Sequence, residues 1–255
     1  MRRIRVIPVL LLHKGGLYKS EKFGDYKYVG DPINAVKIFN EKEIDEIIIL
    51  DIDATSERRG PNMQQLREIA GEAFFPLAYG GGITKLEEID ELFYLGVEKI
   101  VLNSSAISNP SLISEAANLV GSQSVVVSVD VKKNWRSAYK VYGSNGTIST
   151  GFDPLKYAMD MESAGAGEIF LNSIDRDGTF QGFDLALISG VSHAVSIPVI
   201  ACGGAGSLED FRKAVNHGAS AVAAGSYFVF RRPHKAVLIT YPSREELKKE
   251  IFSQI

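Results

Sequence analysis

Asp130 closes the apolar run VVVSVD. A carboxylate at the end of a core strand can move a proton near neutral pH, because burial disfavours its charged form. Other carboxylates occupy similar places: Asp51 and Asp53 after the run IIIL, and Asp175 and Asp177 within SIDRDGTFQG. Asp in a loop also forms turns and caps, so Asp53 and Asp175 fit either role. An earlier stretch, RVIPVLLLHKGG, aligns with SVVVSVDVKKN when Val6 is laid on Val125, and Leu11 then falls opposite Asp130. One copy of the phrase carries a proton carrier and the other a hydrocarbon.

Glycine-rich turns supply a second chemistry. YGGGIT and CGGAGS each follow a strand-like run, and LNSSA and AGSYF follow the next strands along. Backbone N–H groups free of side chains, beside a helix start, bind phosphate oxygens. Two such sites around one opening predict a ligand with a phosphate at each end, although each turn alone could be only a tight turn. The polar stretch HKGGLYKSEKFGDYKYVG reads as a loop over that opening, a lid from which Lys19 could meet a phosphate or polarise a substrate. Trp135 and Tyr139 could stack on a base-like group or make ordinary loop contacts. His13, His193, His217 and His234 show no metal-ligand spacing with the lone Cys202, so neither metal nor cofactor is expected.

These residues need a frame. Strand candidates are Ile4–Leu11, Ile47–Ile52, Phe75–Tyr79, Lys99–Leu102, Val125–Asp130, Glu168–Leu171, Val199–Ala201 and Ala221–Ala223. Amphipathic stretches such as DPINAVKIFNEKEI and SLEDFRKAVNHG lie between them, several opening on Asp, Asn or Ser and closing on Gly. Nearly all-apolar strands alternating with helices predict a parallel sheet covered on both faces. Eight such units fit a (βα)8 barrel, with the doubly wound open sheet as alternative. An internal repeat favours the barrel: the chain from Pro76 maps without gaps onto that from Pro198, and DEIIILDID maps onto GEIFLNSID with the same offset. Two half-barrels, roughly 1–122 and 123–255, would form one domain. The chemistry then belongs at the C-terminal ends of the strands. At the opposite end, Arg5, Glu46, Lys99 and Glu168 begin four strands. Pointing inward, they would pair as a ring of two cations and two anions.

Bulk properties narrow the function. The chain has 255 residues, 45% hydrophobic and 23% charged, with a formal net charge of −3, which gives no reason to expect nucleic acid or a membrane surface as partner. A single cysteine excludes an internal disulfide and suits the cytoplasm. The start MRRIRVIPVLLLHKGG is basic then apolar, but its short proline-containing run fits a first core strand better than a secretory signal. No window reaches the length needed to span a bilayer.

Taken together, RVIP, DPINAVKIFNEKEIDEIIILDIDA, YGGGI, GSQSVVVSVDVK, GAGEIFLNSIDRDGT and ACGGAGSLEDF resemble the cyclase subunit of imidazole glycerol phosphate synthase, over nearly the whole chain. The resemblance implies a (βα)8 barrel that receives ammonia from a separate glutaminase. It would join that ammonia to a ribulosyl aminoimidazole carboxamide ribonucleotide bearing two phosphates. Gly82, Asn103 and Ser104 would hold one phosphate; Asp177, Gly178, Gly204, Gly225 and Ser226 would hold the other. Lys19 would lie in a mobile first loop, and Arg5, Glu46, Lys99 and Glu168 would form an ammonia gate where the glutaminase docks. The family's acid/base pair would be Asp130 and a second aspartate, whose place Leu11 takes. Asn172 stands where threonine is usual. Leu11 and the closing FVFRRPHKAVLITYPSREEL make the chain similar to a paralogue that accompanies a glutaminase and a sugar amidotransferase in surface-polysaccharide synthesis. Two other readings stay open: a working histidine-pathway cyclase that recruits Asp51 or a water, and a single-chain phosphoribosyl isomerase, against which the charged ring argues.

Overall fold

The computed structural model of the chain describes residues 4–251; the first three residues of the signal-like opening lie outside them. Ile47–Asp51 (β4), Leu77–Gly80 (β5), Val199–Cys202 (β11) and Ala221–Ala224 (β12) are apolar and almost entirely buried. A sheet packed on both faces requires such strands. They join Arg5–His13 (β1), Lys99–Leu102 (β6), Val125–Lys133 (β7) and Glu168–Ser173 (β10) in one parallel sheet, ordered β10-β11-β12-β1-β4-β5-β6-β7. β7 pairs back to β10, so the sheet closes into a (βα)8 barrel. The open doubly wound alternative is thereby excluded.

β1 and β7 run past the expected ends at Leu11 and Asp130 because each folds back into an antiparallel hairpin. β1 continues into Gly16–Glu21 (β2) and Gly24–Gly30 (β3), and β7 into Tyr139–Gly143 (β8) and Ile148–Ser149 (β9). The stretch after the first strand is therefore not the loop that its polarity predicts. Its residues alternate, with Leu17 and Lys19 turned inward, while the Tyr18 and Tyr28 rings meet edge to face at 5.3 Å across the two strands.

The helices start where the sequence places caps. Asp31 and Asp153, each followed by proline, accept backbone N–H bonds at the starts of Pro32–Glu41 (α1) and Pro154–Ser163 (α6). Asn62, Asp184 and Ser207 do the same for Met63–Glu72 (α2), Leu185–Ala194 (α7) and Leu208–Asn216 (α8); such caps contribute about 1 kcal/mol each. Leu86–Tyr94 (α3) opens on Lys85 instead, and Glu88 reaches back to the Thr84 and Lys85 N–H groups. Ser104–Ser108 (α4), Ser111–Val120 (α5), Ser226–Val229 (α9) and Arg244–Glu250 (α10) complete the helices of the described residues.

Apolar side chains form two cores. One lies between barrel and helices, with Phe39, Tyr79, Phe211 and Phe228 fully buried; the other fills the barrel, with Ile7, Ile48, Val126 and Phe170. The repeat seen in the sequence recurs in the hydrogen bonds. Ile52 N donates to Leu12 O at 3.1 Å, and Ile174 N to Val131 O at 2.9 Å. Lys14 N donates to Asp53 at 2.7 Å, and Lys133 N to Asp175 at 2.8 Å. Asp53 and Asp175 thus tie the two hairpins to the barrel rather than facing a ligand.

Candidate active site

β1, β4, β7 and β10 deliver four matched side chains to the C-terminal mouth. Leu11 pairs in register with Leu50, and Asp130 with Asn172. By the repeat these are equivalent couples, one apolar and one polar, on the first and second half-barrels. All four line a cavity of about 570 Å³. Asp130 is buried there and accepts a hydrogen bond from Ser128 Oγ at 3.0 Å. Burial pushes its carboxyl up to about 7; the Ser128 bond opposes the rise and the charge of Asp177 adds to it. Such a group exchanges protons readily at neutral pH.

Asp51 lines the same mouth and is held there by its own partners. Its oxygens take Arg59 guanidinium bonds at 2.8 and 3.1 Å and accept the N–H groups of Asp53 and Ala54 at 3.0 and 3.1 Å. Sequence reasoning missed Arg59, because nothing in its spacing links it to Asp51, and missed Ser128, which orients Asp130. Leu50 was findable, since the repeat sets it opposite Asn172.

Lys19 departs from the expected mobile loop. It is buried, its ammonium donates to Val9 O, and it packs over Gly225. Burial pulls it down to about 8, against the attraction of Asp177. Asp177 is itself raised to about 6 by burial, with Lys19 opposing. The hairpin carrying Lys19 is pinned to this loop: Ser20 Oγ donates to Asp177 at 3.2 Å and Lys22 N to Asp177 O at 3.0 Å.

Of the residues expected to hold phosphate, Gly82, Asn103, Ser104, Asp177 and Gly225 line the cavity. Asn103 Nδ2 donates to Ser128 O at 3.1 Å, and Ser104 Oγ accepts from Ser144 N at 3.1 Å. Gly82 and Gly204 are equivalent, with φ of +73° and +108°. A Cβ on either would lie 2.5 Å from Arg59 O or 2.3 Å from Gly182 O, so only glycine fits. Gly178 lies against the backbone of Ser20 and Glu21, so the first hairpin covers it, and Ser226 opens the short α9.

Trp135 does not face the cavity. It is 84% exposed and stacks beneath the Arg136 guanidinium at 4.2 Å, while the Tyr139 hydroxyl donates to Asp184 at 2.9 Å. Among the described residues no three His, Cys, Asp or Glu side chains cluster as metal ligands, and no helix is long and apolar enough to cross a membrane.

At the opposite end of the barrel the four strand-start charges form a closed alternating ring. Arg5 pairs with Glu46 and, at 2.7 Å, with Glu168; Lys99 reaches Glu46 at 3.2 Å and Glu168 at 3.1 Å. Each charge has a partner on both sides, which such a half-buried site requires. Between ring and mouth the axis is lined by apolar side chains.

A closed eight-stranded parallel barrel, with glycine turns and a strand-end carboxylate at its mouth, defines the class of (βα)8 proteins. More specifically, the profile of the family described as histidine biosynthesis protein matches residues 5–233, and the chain belongs to that family. It is 52% identical over 248 residues, 97% of its length and 99% of the relative's, to the "Putative imidazole glycerol phosphate synthase subunit hisF2" of Pseudomonas aeruginosa. Over 257 residues, 99% of this chain and 100% of the relative, it is 47% identical to the "Putative imidazole glycerol phosphate synthase subunit HisF" of Leptospira interrogans. Against the imidazole glycerol phosphate synthase subunit HisF of Endomicrobium trichonymphae, identity is 43% over 231 residues, 91% of this chain and 89% of the relative.

Proposed function

We propose that this chain is a cyclase-type subunit of an imidazole glycerol phosphate synthase-like glutamine amidotransferase. In this reading a glutaminase docks on the N-terminal face and its ammonia passes the gate of Arg5, Glu46, Lys99 and Glu168 into the barrel. A bisphosphorylated ligand spans the mouth, one phosphate on Gly82, Asn103 and Ser104, the other on Asp177, Gly178, Gly204, Gly225 and Ser226. The whole acts in the cytoplasm as one domain of two half-barrels. Leu11 turns the subunit from ring closure toward ammonia supply, serving a sugar amidotransferase that converts an N-acetyl sugar to an acetamidino sugar for surface polysaccharide.

The observation that carries this reading is the Leu11 side of the mouth. Ring closure of the family kind needs two proton carriers, Leu11 moves none, and Asp51 is held by Arg59. Loss of one acid/base group costs on the order of 10²–10⁴ in rate. A second reading rests on Lys19: an amine lowered to about 8 at the same mouth could carry the second proton and leave the chain a working cyclase.

The test supplies the ribulosyl bisphosphate substrate with excess ammonium salt at alkaline pH, bypassing the glutaminase, and follows imidazole glycerol phosphate. Slow turnover in the wild type and a gain of about 10²-fold or more in Leu11→Asp support ammonia supply. Fast wild-type turnover that Lys19→Met abolishes overturns it in favour of the second reading.

A further inference from the structure

The hairpins around the C-terminal mouth differ in charge from the chain as a whole. Residues 131–149 contain Lys132, Lys133, Arg136 and Lys140, and residues 230–242 contain Arg231, Arg232 and Lys235; neither segment has an acid, in a chain of net charge −3. The first segment runs through β8 and β9, and the second includes a further hairpin, Phe230–Arg231 (β13) and Ala236–Val237 (β14). Contacts join them into one arc. The Tyr139 hydroxyl meets Asp184, the Arg232 guanidinium lies over the Phe180 ring at 5.3 Å, and Lys235 pairs with Glu21 of β2 at 2.7 Å. Besides Arg232, three cations of this arc rest on ring faces: Lys133 over Tyr139 at 4.8 Å, Lys27 over Phe230 at 5.1 Å and Arg136 over Trp135 at 4.2 Å. A ring holds a cation in place without neutralising it. Asp175 and Asp184, acids of the same arc, are already engaged, by Lys133 N and by the start of α7. The arc also exposes the apolar side chains of Trp135, Tyr28, Val237 and Leu238.

We propose that this arc docks an acidic protein that covers the mouth and consumes the ammonia leaving it. This rests on the ammonia-supply reading given above. Ammonia released into open water at neutral pH takes up a proton and is no longer a nucleophile, so its consumer must close over the exit and exclude water. Trp135, Arg136, Arg231 and Arg232 do not line the cavity, so a ligand seated inside the mouth leaves these groups to another partner. Tryptophan and arginine are the residue types that dominate interface energies. Asn134 Oδ1 accepts the N–H groups of Arg136 and Ala138 at 2.9 and 3.0 Å, so the turn presents Trp135 from a fixed backbone and little order is lost on docking. The uncompensated cations match a carboxylate-rich face with an apolar pocket for Trp135, and they repel a basic one.

Sedimentation of the full chain with the purified sugar amidotransferase tests this, together with transfer of glutamine nitrogen once the glutaminase is added. The wild type should bind, and bind more weakly as salt rises from about 0.05 to about 0.5 M. Trp135→Ala, and separately Arg231→Glu combined with Arg232→Glu, replace exposed side chains. Each should weaken binding at least about 10-fold and raise the share of glutamine nitrogen lost as free ammonium. Lys213→Glu, an exposed charge reversal in the last turn of α8, should bind as the wild type does. Absence of binding by the wild type, unchanged affinity in the rim variants, or an equal loss in Lys213→Glu overturns the docking surface. If glutamine nitrogen still reaches the sugar in those cases, the ammonia-supply reading stands without it. Fast ring closure by the wild-type chain overturns that reading and this inference with it.

Discussion

Asp130 shows how one residue couples chemistry to stability. Its carboxyl ordinarily titrates at 3.8; in the fold, burial raises it to about 7 despite the Ser128 bond. The folded chain therefore holds this proton more tightly than the unfolded chain does. Stability contributed by the protonated form is present below the lower value and is lost as pH rises toward the upper one. Asp130→Asn removes the titration. Its melting temperature relative to wild type should climb between pH 4 and pH 8, a relative gain of about 1–3 kcal/mol, read by thermal melts across that range. A flat difference would mean that Asp130 is not buried as a charge. Leu11 makes the complementary point: a side chain with no ionisable proton lines the same mouth as Asp130.

The hairpin of β2 and β3 is the element most open to test. It joins the barrel through β1, Asp53 and Asp177, and its outer edge is tied to a second hairpin, Phe230–Arg231 (β13) and Ala236–Val237 (β14). Lys235 pairs with Glu21 at 2.7 Å, Lys27 Nζ donates to Lys235 O at 2.7 Å, and the Arg232 guanidinium lies over the Phe180 ring at 5.3 Å. The Lys235–Glu21 pair is exposed, and such pairs contribute at most about 1 kcal/mol. Lys235→Met should therefore leave global melting unchanged and speed amide exchange in Gly16–Gly30 by about 2- to 5-fold. Exchange that stays at the wild-type rate would show that the Lys235–Glu21 pair does not fasten the hairpin.

For the molecule as a whole, the charged ring and the mouth lie at opposite ends of one apolar axis, so they can be perturbed separately. Glu46 contacts both cations and is almost fully buried. Glu46→Gln leaves Arg5 and Lys99 short of a counter-charge and should destabilise the barrel by about 3 kcal/mol, measured by denaturant titration. Lys99→Glu sets three anions against one cation. It should change the coupling of glutamine hydrolysis to this subunit while phosphate affinity at the mouth stays at the wild-type value. Unaltered coupling in that variant would remove the gate assignment.

The barrel, its repeat and the strand-end position of Asp130, Leu11 and Asn172 could be read from the chain alone, because apolar runs, caps and glycine turns are local and each half states them once. The pairing of Arg5, Glu46, Lys99 and Glu168 could be anticipated from their common place at strand starts. Other features could not. Arg59 on Asp51, Lys19 folded under the mouth and the hairpin in place of a loop depend on which side chains meet once the sheet closes. Closure sets β7 beside β10 and β1 beside β12, residues far apart along the chain. A side chain's partners, and so its charge and its availability to a ligand, exist only after that closure.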